Sequence, residues 1–474
     1  MAKVEGISVT ECSEYINAAI FRVNSPDYGE KYPRWPGSVG IEVEMLPVYD
    51  NGNALPGLVR LQGEKSTAKI LTVLADEKKW RVEYTEGDHD KLVARIFPDP
   101  IDNITFEPGG QVEIASKPYP CLSDAIKRVR SLQSILTQHF ADNGISLNHV
   151  GINPWYTVDE IGLQMPKHRY RAMHQYYSSL SEYGPRMMRQ TCTIQVNLDF
   201  GSDEATLAKR YLASNLLAPF NSAIFTNSPV VDNKFSGIKG FRRKVWKYTD
   251  PTHTGVPGVV ELAENPTREV CLRTYVDYVM QANVVYVEAL NYKVLAKPVS
   301  FQYWIENGIE GVYPTLADFK THLSLMFTEV RPRGFLEIRS IDCQPHQFQP
   351  IPARYLCGLL YDDATLDKVL ELLVPYAKEI LSFLEASEQG LDDPKILEIS
   401  NKVFQLAIQG FANLPSCFKE EQGEFELERF YDFFTARGLT PADYLLETMK
   451  QRDEKSLTLA GLRATEERWS GIYL

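Results

Sequence analysis

An α+β fold is predicted by three observations. Four short stretches alternate polar and apolar residues with a period of two, the pattern of strands buried on one face. Several longer stretches around them repeat apolar residues at helical spacing. From Pro352 onward the periodicity is mostly helical. The 474 residues are long for one domain on length alone, but within reach of a large α+β enzyme with a sizeable core.

Residues 11–23 read as a short helix, and residues 26–37 as a loop rich in proline, glycine and aromatic residues. Gly40-Ile41-Glu42-Val43-Glu44-Met45 is the clearest strand. Glu42 and Glu44 share one face, roughly 7 Å apart, while Ile41, Val43 and Met45 pack on the other. Taken alone, this is most simply a strand with a solvated acidic face. Asn51-Gly52-Asn53 marks a turn. Ser66 caps a helix running to about residue 79, with Ala68, Leu71, Leu74 and Ala75 on one face. Residues 80–85 and 92–97 are two short strands.

Residues 104–115 are the second informative stretch. The turn Pro108-Gly109-Gly110 brings Glu107 back toward Glu113, and Gln111, Glu113 and Ala115 line one strand face. A long amphipathic helix follows over residues 123–143, stopped by Gly144. Residues 146–153 form a strand, and 167–183 a helix. Residues 192–199 form a strand with Gln195, Asn197 and Asp199 on one face. Residues 203–228 form a helix. Its stretch 211–231 carries no charge, but Ser214, Asn215 and Asn221 make it a poor bilayer span and a good buried helix.

Residues 234–248 form a basic loop containing Arg242 and Trp246, with Arg243 and Lys244 expected to be solvated. Residues 274–297 suit either helix or strand. Residues 315–327 are helical. Residues 330–342 form one further strand, with Glu337 and Arg339 on the same face. The helical remainder has polar breaks near 388–393 and 419–424.

The net charge of −12 argues against a generic nucleic-acid binder, which needs a positive face. Seven scattered cysteines without a Cys-x-x-Cys pair favour reduced thiols in the cytoplasm over a disulfide framework or zinc site. The opening residues do not read as basic then apolar, so no secretory leader is expected. The eight histidines are dispersed, and His149 is expected to be buried and hydrogen-bonded.

The four polar-faced strands carry the chemistry: Glu42/Glu44, Gln111/Glu113, Gln195/Asn197 and Glu337/Arg339. In one sheet they would form a face rich in carboxylates, which repel one another unless a cation joins them. Mg²⁺ takes oxygen ligands and bridges to phosphate. Arginine pairs with phosphate in bidentate fashion. Together these describe an ATP-dependent phosphoryl-transfer site, without a P-loop or dinucleotide-binding glycine motif. A glycosidase also uses two carboxylates, but has no need of the basic segment or Arg339.

The blocks Gly40–Glu44, Phe106–Ala115, Arg169–Met173, Met188–Asp199, Ser236–Pro251 and Arg331–Arg339 resemble the plant- and bacterial-type glutamate–cysteine ligases. These belong to the glutamine synthetase-like carboxylate–amine ligases, and the bacterial branch most resembled includes ergothioneine-pathway enzymes. The Glu107-Pro108-Gly109-Gly110-Gln111 block is specific, whereas a Glu-x-Glu strand alone is not. The turn Thr252-His253-Thr254 departs from the more basic turn expected there.

The resemblance implies a curved, mainly antiparallel sheet with helices on its outer face and the active site on its concave face. It implies one catalytic domain over 1–474, of which 350–474 is a mostly helical portion. Glu42, Glu44, Glu107, Glu113 and Glu337 would bind Mg²⁺. Arg333 and Arg339 would neutralise the transferring phosphoryl group, and with Arg242 and Trp246 would reach ATP. Gln111, Arg169, Met188, Gln195 and Asn197 would contact the amino-acid substrate. The expected reaction joins the γ-carboxylate of glutamate to the amine of cysteine through γ-glutamyl phosphate. The product would serve glutathione or ergothioneine synthesis. The alternatives are another amine acceptor, or a non-catalytic nucleotide-binding relative. No nucleic-acid or membrane partner is expected, and oligomeric state stays open.

Overall fold

A computed structural model describes residues 6–23, 35–86, 91–99, 102–420 and 422–473. Its strands are β1 (Val39–Tyr49), β2 (Gly57–Leu58), β3 (Arg81–Glu86), β4 (Lys91–Phe97), β5 (Asn103–Phe106), β6 (Val112–Ala115), β7 (Ile145–Asn148), β8 (Thr193–Leu198), β9 (Val230–Val231), β10 (Lys234–Phe235), β11 (Val330–Pro332) and β12 (Leu336–Asp342). Ten of them form one sheet in the order β11-β12-β8-β1-β6-β5-β4-β3, with β2 and β7 paired to β1. Every pairing in it is antiparallel. The strand order requires long crossovers, because β8 and β12 come from distant parts of the chain and lie in turn on one side of β1, with β6 on the other.

The helices that concern the site are α1 (Val9–Tyr15), α2 (Thr67–Lys78), α3 (Leu122–Asp142), α4 (Val158–Ile161), α5 (His168–Leu180), α6 (Tyr183–Arg189), α7 (Glu204–Ile224) and α8 (Phe241–Thr249). The apolar face of the sheet holds Ile41, Val43, Val112, Ile114, Ile194, Val196 and Ile338, all buried. It packs against α3, α7 and the helix Pro350–Leu360. That helix meets Pro394–Asn413 at two glycines. A Cβ on Gly410 would lie 2.0 Å from the Gly358 carbonyl oxygen, so the backbones touch only because both side chains are missing. The C-terminal part is helical, as predicted.

Residues 211–224 of the charge-free stretch belong to α7, which ends at Ile224 rather than at the expected residue 228, and its buried polar residues are bonded. Ser214 Oγ donates to the Arg210 carbonyl at 2.7 Å and Asn215 Nδ2 to the Tyr211 carbonyl at 2.8 Å. Among the described residues no helix is long and apolar enough to cross a membrane.

Four further expectations need correction, and one open stretch is resolved. The strand expected over 146–153 ends at Asn148, because residues 149–153 turn away to bond Asn227 beyond α7 and residues 190–192 ahead of β8. The single helix expected over 167–183 is two, α5 and α6, broken at Ser181. Half of the basic loop is the helix α8, whose buried positions Phe241, Arg242, Val245, Trp246 and Thr249 recur at helical spacing. The ambiguous stretch 274–297 is helical as far as Gln281 and irregular beyond. The last strand is a hairpin of β11 and β12, turned at Arg333-Gly334-Phe335 with Gly334 at φ +81°. Most of the loop expected over 26–37 lies outside the described residues.

Candidate active site

The four polar-faced strands lie side by side, since β12, β8, β1 and β6 are consecutive in the sheet. Their register sets the side chains into rows. Glu44 is opposite Glu113, and Glu42 opposite Gln195. Asn197 is opposite Glu337, and Glu337 opposite Arg331. On the far side Glu113 is opposite Thr105, and Thr105 opposite Arg95. Across one sheet face the order is arginine, amide, carboxylate and again arginine. This face is the floor of a cavity of about 590 Å³. Its walls and roof include Tyr15, Ala19 and Ile20, Arg169, Tyr170 and Met173 of α5, Met188 of α6, and Trp246 of α8.

Glu107 reaches the cavity from the turn between β5 and β6. Its N–H donates to the Gln111 carbonyl at 3.0 Å, and its carbonyl accepts from Gly110 at 2.9 Å. A Cβ on Gly109 would lie 2.2 Å from the Arg189 carbonyl oxygen. Gly110 has φ +89°, in the left-handed region that favours glycine. The two glycines let the turn press against α6. Gln111 Nε2 then donates to the Thr191 carbonyl at 2.9 Å.

The central carboxylates have neutral donors as their hydrogen-bond partners. Glu44 accepts from the Thr193 N–H and Oγ1, both at 2.9 Å, and from Gln195 Nε2 at 3.3 Å. Glu42 accepts from Asn197 Nδ2 at 2.8 Å. Thr105 Oγ1 donates to Glu113. Burial, with Glu107 adding repulsion, pushes the Glu44 carboxyl up to about 7. Burial first and Glu337 second push Glu42 up. Burial pushes Glu107 up. Glu113 is raised well above the ordinary range, by burial and by Glu42, Glu107 and Glu44. Among the described residues no group of three or more His, Cys, Asp or Glu side chains is arranged to hold a metal ion as it stands.

The opposite edge is cationic. Burial would push the Glu337 carboxyl up, but Arg331, Arg339 and Arg333 outweigh it and hold the group well below the ordinary range. Arg331 pairs with both of its oxygens, Arg333 Nη1 donates to it at 2.8 Å, and Arg339 Nη1 at 3.1 Å. Arg339 Nη1 also donates to Gln195 Oε1 at 2.7 Å. One extra residue on β12 forms a bulge between Ile338 and Ile341. There Arg242 Nη2 donates to the Arg339 carbonyl at 2.7 Å, supporting a backbone group displaced from the ladder.

Twelve of the fourteen residues named from the sequence line this cavity: Glu42, Glu44, Glu107, Glu113, Glu337, Gln111, Arg169, Met188, Gln195, Trp246, Arg333 and Arg339. Asn197 and Arg242 do not. Asn197 donates to Glu42, and Arg242 is buried against β12, where it also approaches Asp342 at 3.5 Å. Trp246 lines the wall but gives its Nε1–H to the Phe327 carbonyl at 2.7 Å. Arg243 is buried rather than solvated and pairs with the buried Glu329; burial lowers its pKa to about 10. His149 is buried as expected, though its Nε2 has no protein partner.

The sequence reading missed Thr193, Arg331 and Arg95. Thr193 was detectable, since it continues the Gln195/Asn197 alternation. Arg331 and Arg95 were not, because each depends on which strand lies beside its own.

Comparison with known proteins follows the same outline. The description "glutamate-cysteine ligase family 2" matches residues 38–460. The chain is 30% identical over 403 residues to the chloroplastic glutamate–cysteine ligase of Solanum lycopersicum, covering 82% of this chain and 73% of that protein. It is 30% identical over 415 residues to that of Medicago truncatula, covering 85% and 77%. The crystal structure of glutamate–cysteine ligase from Francisella tularensis in complex with AMP superposes with a TM-score of 0.53 at 14% identity, covering 91% of this chain and 89% of that one. At that identity the likeness speaks for the fold. The family match spans the sheet, the carboxylate floor and the arginine hairpin together, and the chain belongs to glutamate–cysteine ligase family 2.

Proposed function

We propose that the protein is an ATP-dependent ligase that joins the γ-carboxylate of L-glutamate to the amine of L-cysteine. The observation that carries this reading is the charge order across one sheet face. Carboxylates bonded to neutral donors on β1 and β6 adjoin an arginine cluster on β11 and β12. A carboxylate is a poor acylating agent, so its oxygen must first become a leaving group. Transfer of the γ-phosphoryl of ATP to glutamate gives γ-glutamyl phosphate and ADP. The cysteine amine then attacks the acyl carbon, and phosphate leaves. No cysteine lines the cavity, and the route needs no protein nucleophile. The chain aligns the reactants and neutralises charge. Arg333 and Arg339 face the transferring phosphoryl group, with Arg331 holding Glu337 between them. Gln111, Arg169, Met188 and Gln195 face the amino acid.

The donor set fits Mg²⁺. Glu42, Glu44, Glu107 and Glu113 are oxygen ligands of the kind it prefers, and their raised pKa values mark negative charge that the protein leaves uncompensated. These four would hold the ion after side-chain rotation. Glu337 would join them only by releasing an arginine. When bound, Mg²⁺ supplies charge neutralisation at the phosphate oxygens.

The seven free thiols suit a reducing compartment, and we place the protein in the cytoplasm. We take residues 1–474 as one catalytic domain, with 350–474 as its helical portion. The product would enter thiol synthesis, of glutathione or of ergothioneine. A phosphate-release assay with ATP, Mg²⁺, glutamate and a panel of amines tests the reading. Release is expected to require cysteine. No ADP from any member of the panel would overturn it, and a faster amine would reassign the acceptor.

A further inference from the structure

The matched family region begins at residue 38, yet Tyr15, Ala19 and Ile20 line the cavity. We propose that residues 9–21 form the wall of the nucleoside end, and that Tyr15 is the binding residue that packs against the base of ATP. This deepens the ligase reading and rests on its use of ATP.

The segment is built to hold that position. Ser8 and Glu11 form a capping box that starts α1. After Tyr15 the chain widens into a π turn, Ile16–Ile20, in which the Phe21 N–H donates to the Ile16 carbonyl at 3.0 Å. A turn of this kind is rare and often found at functional sites. It places residues five apart on one side, so Tyr15 and Ile20 both face the cavity. Phe21 anchors the far end in the core, with ring centroids 5.1 Å from Tyr211 and 5.5 Å from Tyr275. Arg268 clamps the backbone, Nε donating to the Phe21 carbonyl at 2.9 Å and Nη2 to the Asn17 carbonyl at 3.0 Å.

The wall is also tied to the arginine cluster. The Gly334 N–H donates to the Ile20 carbonyl at 3.0 Å. A Cβ on Gly334 would lie 3.1 Å from the Ala19 carbonyl oxygen and 2.9 Å from Arg22 Nε. Gly334 is the turn between β11 and β12, next to Arg333. Whatever the arginines hold therefore lies beside Tyr15, Ala19 and Ile20.

The chemistry of this corner suits a nucleoside. Leu323 and Pro332 add apolar surface, and Lys320 Nζ lies 5.1 Å from the Tyr15 ring centroid. A planar base needs an apolar slot next to the cations that take its phosphates. Glutamate and cysteine, as small zwitterions, do not. Trp246 is less suited to stacking a base, since the guanidinium groups of Arg242 and Arg339 lie over its ring at 4.9 and 5.6 Å.

The test compares wild type with Tyr15→Ala and Tyr15→Phe. Equilibrium binding of ATP and of GTP is measured with Mg²⁺ and without amino acids, beside KM values for all three substrates. Tyr15→Ala is expected to weaken ATP and GTP binding alike, each on the order of tenfold, because an aromatic platform stacks any base. Tyr15→Phe should restore both. KM values for glutamate and cysteine should stay within about twofold. Unchanged ATP binding, or an effect confined to the amino acids, would overturn the proposal. Hydrogen exchange of wild type gives a second readout: ATP should slow exchange across residues 9–21 and glutamate should not. If ATP protects this segment but no amine is ligated, the ligase reading fails while this one stands. If wild type binds no ATP, both fail.

Discussion

Glu44 and Glu337 are the same residue type, buried on the same face of one sheet, two strands apart. Their carboxyl pKa values are pushed in opposite directions. Burial pushes both carboxyls toward the neutral form. Glu44 finds hydroxyl, amide and backbone donors, and its pKa rises to about 7. Glu337 finds three guanidinium groups, and its pKa falls well below the usual range. Depth alone therefore does not decide a carboxylate's state; the charge of its partners does. One side of the floor is neutralised by the protein itself. The other is left for a cation from outside, which on our reading is Mg²⁺.

The largest effect should come from Glu337→Gln. It would leave the buried Arg331 and Arg339 without their counter-charge and is expected to destabilise the fold by about 3–5 kcal/mol. A denaturant titration measures this, and an unchanged midpoint would break the comparison. Glu44→Gln should act with the opposite sign on stability. It removes a carboxylate that is costly to ionise, so the metal-free protein should gain up to about 3 kcal/mol at about pH 8. Turnover should fall on the order of 10³-fold. A variant that kept its activity would remove Glu44 from the site.

The pH dependence sharpens the same contrast. The Glu44 carboxyl ionises ordinarily at 4.5 and in the fold only near about 7. Its contribution to stability is complete below about pH 4.5 and is lost as pH rises through about 7. Glu42, Glu107 and Glu113 are pushed the same way. Thermal unfolding of metal-free protein should therefore show a midpoint that falls between about pH 5 and pH 8. Mg²⁺ should reverse the fall, and Glu44→Gln should make it shallower. A midpoint that rises over this range would contradict the assignment. The smallest effect is expected from Arg333→Ala. Its side chain is 50% exposed, so stability should change by less than about 1 kcal/mol, while KM for ATP rises. A matching loss of stability would instead make Arg333 a structural partner of Glu337.

Strand faces were readable because their signal is local. Period-two alternation in Ile41–Met45 and in residues 192–199 does not depend on what lies beside them. The Pro108-Gly109-Gly110 turn was readable for the same reason. The helix over residues 241–249 was hidden, since its helical spacing of buried residues is masked by four basic side chains, Arg242, Arg243, Lys244 and Lys247. Only packing shows that the first two of these are buried. The role of residues 9–21 was hidden as well, because nothing in their composition indicates which cavity they border.

By itself the sequence determined the α+β class, the carboxylate and arginine positions on their strands, and the family. Tertiary structure decided which strand lies beside which. Placing β8 between β1 and β12 sets Gln195 between Glu42 and Arg339, and the hairpin of β11 with β12 sets Arg331 against Glu337. The physical reason is that alternation follows from the local backbone, whereas register follows from hydrogen bonds between segments far apart in the chain. Two carboxyls of identical chemistry thus diverge in pKa because of neighbours that no local pattern names.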